Sequence, residues 1–127
     1  MEQQRTPLGI YIHVPFCRSK CEYCDFYSLP GSRNKKAMED YAQAVMLHIR
    51  EAAQRAETYE VDTVYFGGGT PSFFGEEGLR RLLGEVDRRF ILRPDAEITF
   101  EANPDSVTGP ALRRLRRAGF NRISIGV

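Results

Sequence analysis

The feature that most constrains the fold is a regular alternation of strand-like and helix-like segments along the chain. Four segments have the composition of strands: residues 8–15, 61–66, 96–102 and 122–127. Three segments between them carry apolar residues at helical spacing: residues 37–56, residues 76–92, and the stretch from an N-cap at Thr108 to a stop at Gly119. The unit recurs about every 30–35 residues, as in parallel βαβ structures. The sequence therefore predicts an α/β fold with a parallel sheet and right-handed crossovers.

The segments between these elements predict two irregular connections. Residues 16–35 have no helical or strand period and are expected to form a loop. Residues 67–71, GGGTP, are expected to form a turn, because glycine and proline support little regular structure there. The last strand-like segment runs to the end of the chain without a covering helix. We therefore expect residues 1–127 to be the N-terminal part of a longer domain, and a complete four-stranded open sheet is the alternative.

Composition excludes several classes of partner. The 127 residues are 42% apolar and 28% charged with a net charge of +1, which is ordinary for a globular protein and gives no reason to expect nucleic acid. Arginine pairs at 80–81, 88–89, 113–114 and 116–117 are interpreted as solvated outer faces of helices, beside acidic residues that include Glu85. No stretch approaches the roughly 20 apolar residues of a membrane span. The N-terminus lacks an apolar signal core, which predicts a cytoplasmic protein.

All three cysteines of the chain, Cys17, Cys21 and Cys24, follow the first predicted strand with the spacing C-x3-C-x2-C. The carboxyl end of a parallel strand is where α/β proteins bind ligands. Three thiolates can hold three irons of a [4Fe–4S] cluster and leave the fourth iron open. The spacing therefore favours an iron–sulfur centre.

Two other interpretations of the cysteines stay open at this point. Zinc would need a fourth ligand, for which His13 and Asp25 are available, and would make the chain a zinc-stabilised interaction module. Unliganded thiols are the third interpretation, although exposed thiols oxidise readily.

Two further features follow the next two strands. The glycines of residues 67–71 allow close approach of a ligand, but no phosphate-binding pattern is present, so exposed carbonyls and an ammonium group fit better than phosphate. Glu101, at the end of the third strand, could accept hydrogen bonds from a ligand. A tight turn and a solvated carboxylate are the structural alternatives. Because the three features lie at the same end of successive strands, we expect one cleft beside one metal centre.

The motifs also match a family. YIHVPFC-x3-C-x2-CDF, YFGGGTPS, E-x-N-P and RISIGV occur in this order, and the match runs from residue 8 to the last residue. The chain thereby resembles the radical S-adenosylmethionine (SAM) superfamily, in the branch of oxygen-independent coproporphyrinogen III oxidase and the heme chaperone HemW. The resemblance implies a partial (β/α)6 barrel, truncated here after the fourth strand.

The resemblance also implies a set of ligands. Cys17, Cys21 and Cys24 would bind a [4Fe–4S] cluster, whose open iron takes the amino and carboxylate groups of SAM. The residues implied to contact SAM are Tyr11, Tyr23, Gly68, Gly69, Thr70 and Glu101. The glycine turn would hold the methionine end, the tyrosines would flank the cofactor, and Glu101 would hydrogen-bond it. One electron from the cluster would then produce a 5′-deoxyadenosyl radical.

Phe26 separates the two activities within this branch. The oxidase pattern has a fourth cysteine at this position, so its absence resembles the chaperone and puts oxidative decarboxylation of coproporphyrinogen in doubt. Heme or a porphyrin and an electron donor protein are the implied partners. No heme ligand stands out, since His48 fits a surface or packing position in the first helix.

Overall fold

The structure, a computed structural model, describes residues 5–16 and 33–126. These residues contain four strands, four α-helices that lie between the strands, and a 3₁₀-helix at Pro104–Ser106. The strands are β1 (Thr6–Val14), β2 (Tyr59–Gly68), β3 (Leu92–Ala102) and β4 (Arg122–Ile125). The helices are α1 (Arg33–Ala53), α2 (Pro71–Phe74), α3 (Glu76–Arg89) and α4 (Gly109–Ala118). Among the described residues, no helix is both long and apolar enough to cross a membrane.

The strands form one sheet in the order β1-β2-β3-β4, and every neighbouring pair is parallel. This confirms the predicted α/β fold with a parallel sheet. The last predicted helix, α4, also begins and ends where expected: the Thr108 hydroxyl caps it by accepting from the Ala111 amide, and Gly119 stops it at φ +125°.

The expected turn at residues 67–71 is wrong in its extent. β2 continues through Gly67 and Gly68, which pair with His13 and Val14 of β1. The pairing of neighbouring strands uses only backbone amide and carbonyl groups, so glycine is tolerated at these positions. Pro71 then opens the short helix α2, because proline fits the first position of a helix, where no amide hydrogen is needed.

The core lies between one face of the sheet and the helices. Buried side chains from both layers form a single cluster: Ile12, Val14, Val64, Phe66, Ile98 and Phe100 from strands, and Ala42, Ile49, Leu79, Leu82, Leu83, Val86 and Leu115 from helices. Because neighbouring residues of a strand point to opposite faces, the residues between these strand positions form a second face. We call this second face the polar face; Tyr11, His13, Tyr65, Thr99, Glu101 and Ser124 lie on it.

The arginine pair at 88–89 is exposed, as interpreted, but one of the acidic residues beside it is not. The Glu85 side chain is only 1% exposed and accepts hydrogen bonds from Arg50 at 2.9 Å, Arg89 at 2.8 Å and Arg88. The hydrogen bond from Arg89 is the largest of the effects that lower the pKa of Glu85. These arginines cover a buried carboxylate and join α1 to α3.

Candidate functional site

Two of the three predicted features, and the strand that leads to the third, lie at the carboxyl-terminal end of the sheet. β1, β2 and β3 are parallel and end at Val14, Gly68 and Ala102, so their carboxyl ends lie on the same side. The first cysteine follows β1 by three residues, the glycine turn ends β2, and Glu101 is the penultimate residue of β3. This is the arrangement expected for a ligand site in a parallel sheet.

The glycine turn is tied to the backbone that leads into the cysteines. The Gly69 amide donates to the Val14 carbonyl at 2.8 Å, and the Thr70 amide donates to the Phe16 carbonyl at 2.7 Å. Phe16 directly precedes Cys17. The four remaining predicted site residues, Cys17, Cys21, Cys24 and Tyr23, lie outside the described residues, and their roles stay predictions.

Phe16 is held by an aromatic cluster that sequence reasoning missed. Its ring stacks on Phe74 of α2 at 5.7 Å, and Tyr41 of α1 meets both rings edge-on at 5.4 Å. The Tyr41 hydroxyl donates to the His13 carbonyl, and burial raises the pKa of Tyr41. The cluster fixes the chain direction immediately before Cys17. Only the three-dimensional contact between α1 and α2 could have revealed it.

Glu101 contacts the glycine turn directly. One carboxylate oxygen, Oε1, accepts from the Gly68 amide at 3.1 Å, and the other, Oε2, accepts from the Tyr65 hydroxyl at 2.7 Å. The Tyr65 ring in turn stacks on Tyr11 at 5.9 Å with an interplanar angle of 13°. Partial burial, with a smaller contribution from the Glu101 charge, raises the pKa of Tyr11. The structure thus brings predicted site residues from β1, β2 and β3 together and adds Tyr65.

The hydrogen bonds that the glycine turn already makes determine which of its backbone groups are available to a ligand. The amides of Gly68, Gly69 and Thr70 donate to Glu101, Val14 and Phe16 respectively. An anion held by amide hydrogens would have to break these bonds, so a phosphate site is disfavoured. What these residues can present is carbonyl oxygen, which accepts hydrogen bonds from an ammonium group.

Glu101 and the turn line a pocket of about 430 Å³. Its wall consists of Gly69, Thr70, Glu101, Ala102, Asn103, Ser124 and Gly126. A carboxylate beside backbone carbonyls forms a set of acceptors suited to a ligand with ammonium and hydroxyl donors. SAM carries both kinds of donor, so the residues present fit this cofactor.

A second pocket, of about 470 Å³, lies beside β1 and α1. It is lined mainly by apolar side chains and includes Tyr11, but not Glu101 or the glycine turn. His48 lies on its wall and is exposed, as the sequence indicated. His13 lies on the polar face, where its ring is beside the backbone of Gly68. Among the described residues, no group of three or more His, Cys, Asp or Glu side chains could hold a metal ion.

Comparison with known proteins places this geometry in a family. The family model of the radical SAM superfamily matches residues 11–127. The chain is 41% identical over 122 residues to the heme chaperone HemW of Mycobacterium tuberculosis and 43% identical over 121 residues to HemW of Escherichia coli. It is 34% identical over 121 residues to an oxygen-independent coproporphyrinogen III oxidase of Salmonella typhimurium. Each alignment covers 95% of this chain, but only 31%, 32% and 26% of the respective relative.

A solved structure supports the same assignment. The chain is similar to coproporphyrinogen III oxidase (HemN) from Escherichia coli, described as a radical SAM enzyme, with a TM-score of 0.84 and 31% identity. The match covers 98% of this chain and 29% of that protein, and so confirms the predicted fold as part of a radical SAM barrel. On the evidence of its motifs, its sheet and the family match over residues 11–127, the chain belongs to the radical SAM superfamily.

Proposed function

We propose that this chain is the N-terminal part of a longer radical SAM protein, in which Cys17, Cys21 and Cys24 bind a [4Fe–4S] cluster beside a SAM site. The observation that carries the proposal is the convergence of three strand ends, where the glycine turn bonds both to the segment before Cys17 and to Glu101. When bound, the reduced cluster supplies the electron that cleaves the sulfonium bond of SAM. The chain's own residues orient the cofactor and limit its contact with water.

Each described site residue has a defined part in this proposal. The Glu101 carboxylate accepts hydrogen bonds from the donors of SAM, and the carbonyls of Gly68, Gly69 and Thr70 accept from its ammonium group. Tyr11, stacked on Tyr65, forms one aromatic wall, and Tyr23 is proposed as the other. The aromatic cluster around Phe16 holds the start of the cysteine segment against the turn.

For the whole protein we propose a heme chaperone. The observation that favours this activity is Phe26, which stands where the oxidase pattern has a fourth cysteine. Identity does not separate the two activities, since HemW relatives range from 31% to 43% and the oxidase lies at 34%. Heme is then the cargo, and an electron donor protein is needed to reduce the cluster. The second candidate is an oxygen-independent coproporphyrinogen III oxidase, because relatives with that name match the same residues.

The first experiment tests the two cofactors. The full-length protein would be reconstituted anaerobically with iron and sulfide, and its reduced form examined by electron paramagnetic resonance with and without SAM. We expect a [4Fe–4S] signal that shifts when SAM is added. Cys21→Ala should lose iron and sulfide, whereas Ser19→Ala, in the same segment, should retain both. Bound zinc in place of iron would refute the proposal in favour of a zinc-stabilised module.

The second experiment separates chaperone from oxidase. Heme titration of the reconstituted protein should give a saturable change in the Soret band. Incubation with coproporphyrinogen III, SAM and a reductant should leave the substrate's propionates intact. Decarboxylated product without saturable heme binding would instead establish the oxidase.

A further inference from the structure

Tyr65 is the residue through which the polar face holds the Glu101 carboxylate, and no part of the family resemblance assigns it a role. Its hydroxyl donates to Oε2 of Glu101 at 2.7 Å, while the Gly68 amide donates to Oε1 at 3.1 Å. Both donors belong to β2 and are three residues apart. The carboxylate on β3 is therefore held at both oxygens by the neighbouring strand.

Tyr65 is itself held on two sides. Its ring stacks on Tyr11 of β1, and the Ser124 hydroxyl of β4 hydrogen-bonds its oxygen. The hydrogen bond to Glu101 is the largest of the effects that raise the pKa of Tyr65, so the hydroxyl remains a donor at neutral pH. A network that spans all four strands thus ends at one carboxylate, and each of its members has limited freedom to rotate.

The Glu101 carboxylate can accept further hydrogen bonds, and its orientation is fixed by the two that it already accepts. An ionised carboxylate offers about four acceptor positions, of which Tyr65 and Gly68 use two. Glu101 also lines the pocket of about 430 Å³, as does Ser124. A carboxylate held in advance does not lose rotational freedom when a ligand binds, which favours affinity.

We propose that Tyr65 is a positioning residue for SAM: its hydroxyl holds Glu101 in the orientation in which the remaining acceptor positions face the ligand. This inference rests on the proposed contact between Glu101 and SAM. It extends the site to a residue that contacts the carboxylate rather than the cofactor.

The test is a double-mutant cycle in the full-length, cluster-loaded protein. The dissociation constant of SAM would be measured by equilibrium dialysis for the wild type, Tyr65→Phe, Glu101→Gln and the double variant. Tyr65→Phe keeps the ring stack on Tyr11 and removes only the hydroxyl. We expect it to weaken SAM binding about 10-fold, the order of magnitude of one hydrogen bond to a charged group. The double variant should bind no more weakly than Glu101→Gln alone, because the hydroxyl acts through the carboxylate.

Matched controls separate positioning from general stability. Tyr59→Phe removes a hydroxyl at the opposite end of β2, and Glu97→Gln removes an exposed carboxylate earlier in β3; both should bind SAM as the wild type does. Tyr65→Phe should retain the iron content and melting temperature of the wild type. A loss of iron or of folding in this variant would overturn the inference, since the hydroxyl would then be structural.

The remaining outcomes distinguish this inference from the proposed function. If Glu101→Gln weakens SAM binding and Tyr65→Phe does not, the positioning role is refuted and the SAM site stands. Additive effects in the double variant would also refute it, because Tyr65 would then act independently of Glu101. If Glu101→Gln binds SAM as tightly as the wild type, the proposed contact and the positioning role both fail.

Discussion

Gly68 combines two roles in one residue, since its amide binds Glu101 and its backbone adopts φ +117°. A β-carbon built at this position would lie 2.8 Å from the His13 ring and 2.9 Å from the Val14 carbonyl oxygen. Residues other than glycine rarely adopt this conformation, and the carbonyl cannot move without disturbing β1. Only glycine therefore fits this end of β2.

We predict that Gly68→Ala lowers the free energy of unfolding by about 2–4 kcal/mol, the sum of backbone strain and steric overlap. Urea unfolding of the full-length protein, followed by circular dichroism, would measure it. Gly75→Ala is the control: Gly75 also has positive φ, at +103°, but nothing lies within 4 Å of its added β-carbon. Equal losses in the two variants would mean that the contacts with His13 and Val14 contribute nothing.

Glu85 is the residue whose charge should make stability depend on pH. Its pKa is lowered from the ordinary value of 4.5, mainly by Arg89, so the folded protein favours the ionised form. Its stabilising effect is complete above pH 4.5 and is lost as pH falls through the lower folded pKa. We predict that Glu85→Gln costs about 1–3 kcal/mol at pH 7 and much less near pH 3.

Unfolding curves at several pH values would check this prediction. Glu77→Gln is the control, because Glu77 is an exposed carboxylate on the same helix. A cost for Glu85→Gln that stays constant from pH 7 to pH 3 would show that the charge of the carboxylate does not contribute to stability.

At the scale of the element, α3 contains two glycines in very different surroundings. A β-carbon at Gly78 would lie 2.4 Å from the Phe74 ring, whereas at Gly84 nothing lies within 4 Å. The Phe74 ring cannot move freely, because it stacks on Phe16. Gly78 is therefore required for α2 to pack against α3, and Gly84 is not.

We predict opposite effects for the two alanine variants of α3. Gly84→Ala should stabilise by up to about 1 kcal/mol through helix propensity alone. Gly78→Ala should destabilise by about 1–3 kcal/mol through overpacking. Thermal melts of the two variants would show the difference. If Gly78→Ala also raised the melting temperature, the packing of Phe74 against this turn of α3 would be wrong.

The elements themselves could be predicted from sequence, because the strand and helix periods are strong and Thr108 and Gly119 mark the ends of α4. The short helix α2 could not be predicted, since the four residues Pro71–Phe74 are too few to show a helical period of apolar residues. Tyr65 could not be recognised either. The sequence does not show whether the hydroxyl of a tyrosine in a strand donates to a carboxylate. The hydrogen bond from Tyr65 to Glu101 depends on the register between β2 and β3.

At the scale of the whole molecule, the position of the site at the carboxyl-terminal ends of the strands was predictable, because parallel strands all end on the same side of the sheet. The burial of Glu85 was not, because it depends on three arginines from two helices converging on one position of α3. The placement of Glu101 against Gly68 is intermediate. Strand order brings the two residues near each other, but the hydrogen bond requires a local geometry that no sequence period encodes.

The uncovered parts of the sheet lead to the last prediction. Helices and apolar side chains cover one face, whereas the polar face leaves Tyr11 59% exposed, and at the edge strand β4 Ile125 is 56% exposed. Parallel sheets are stable when both faces and their edges are covered. We therefore expect residues 1–127 alone to unfold over a broad temperature range and to self-associate, and the full-length protein to melt cooperatively. Circular dichroism melts with size-exclusion chromatography would test this, and a sharp melt of a monomeric 1–127 chain would establish that one covered face is sufficient.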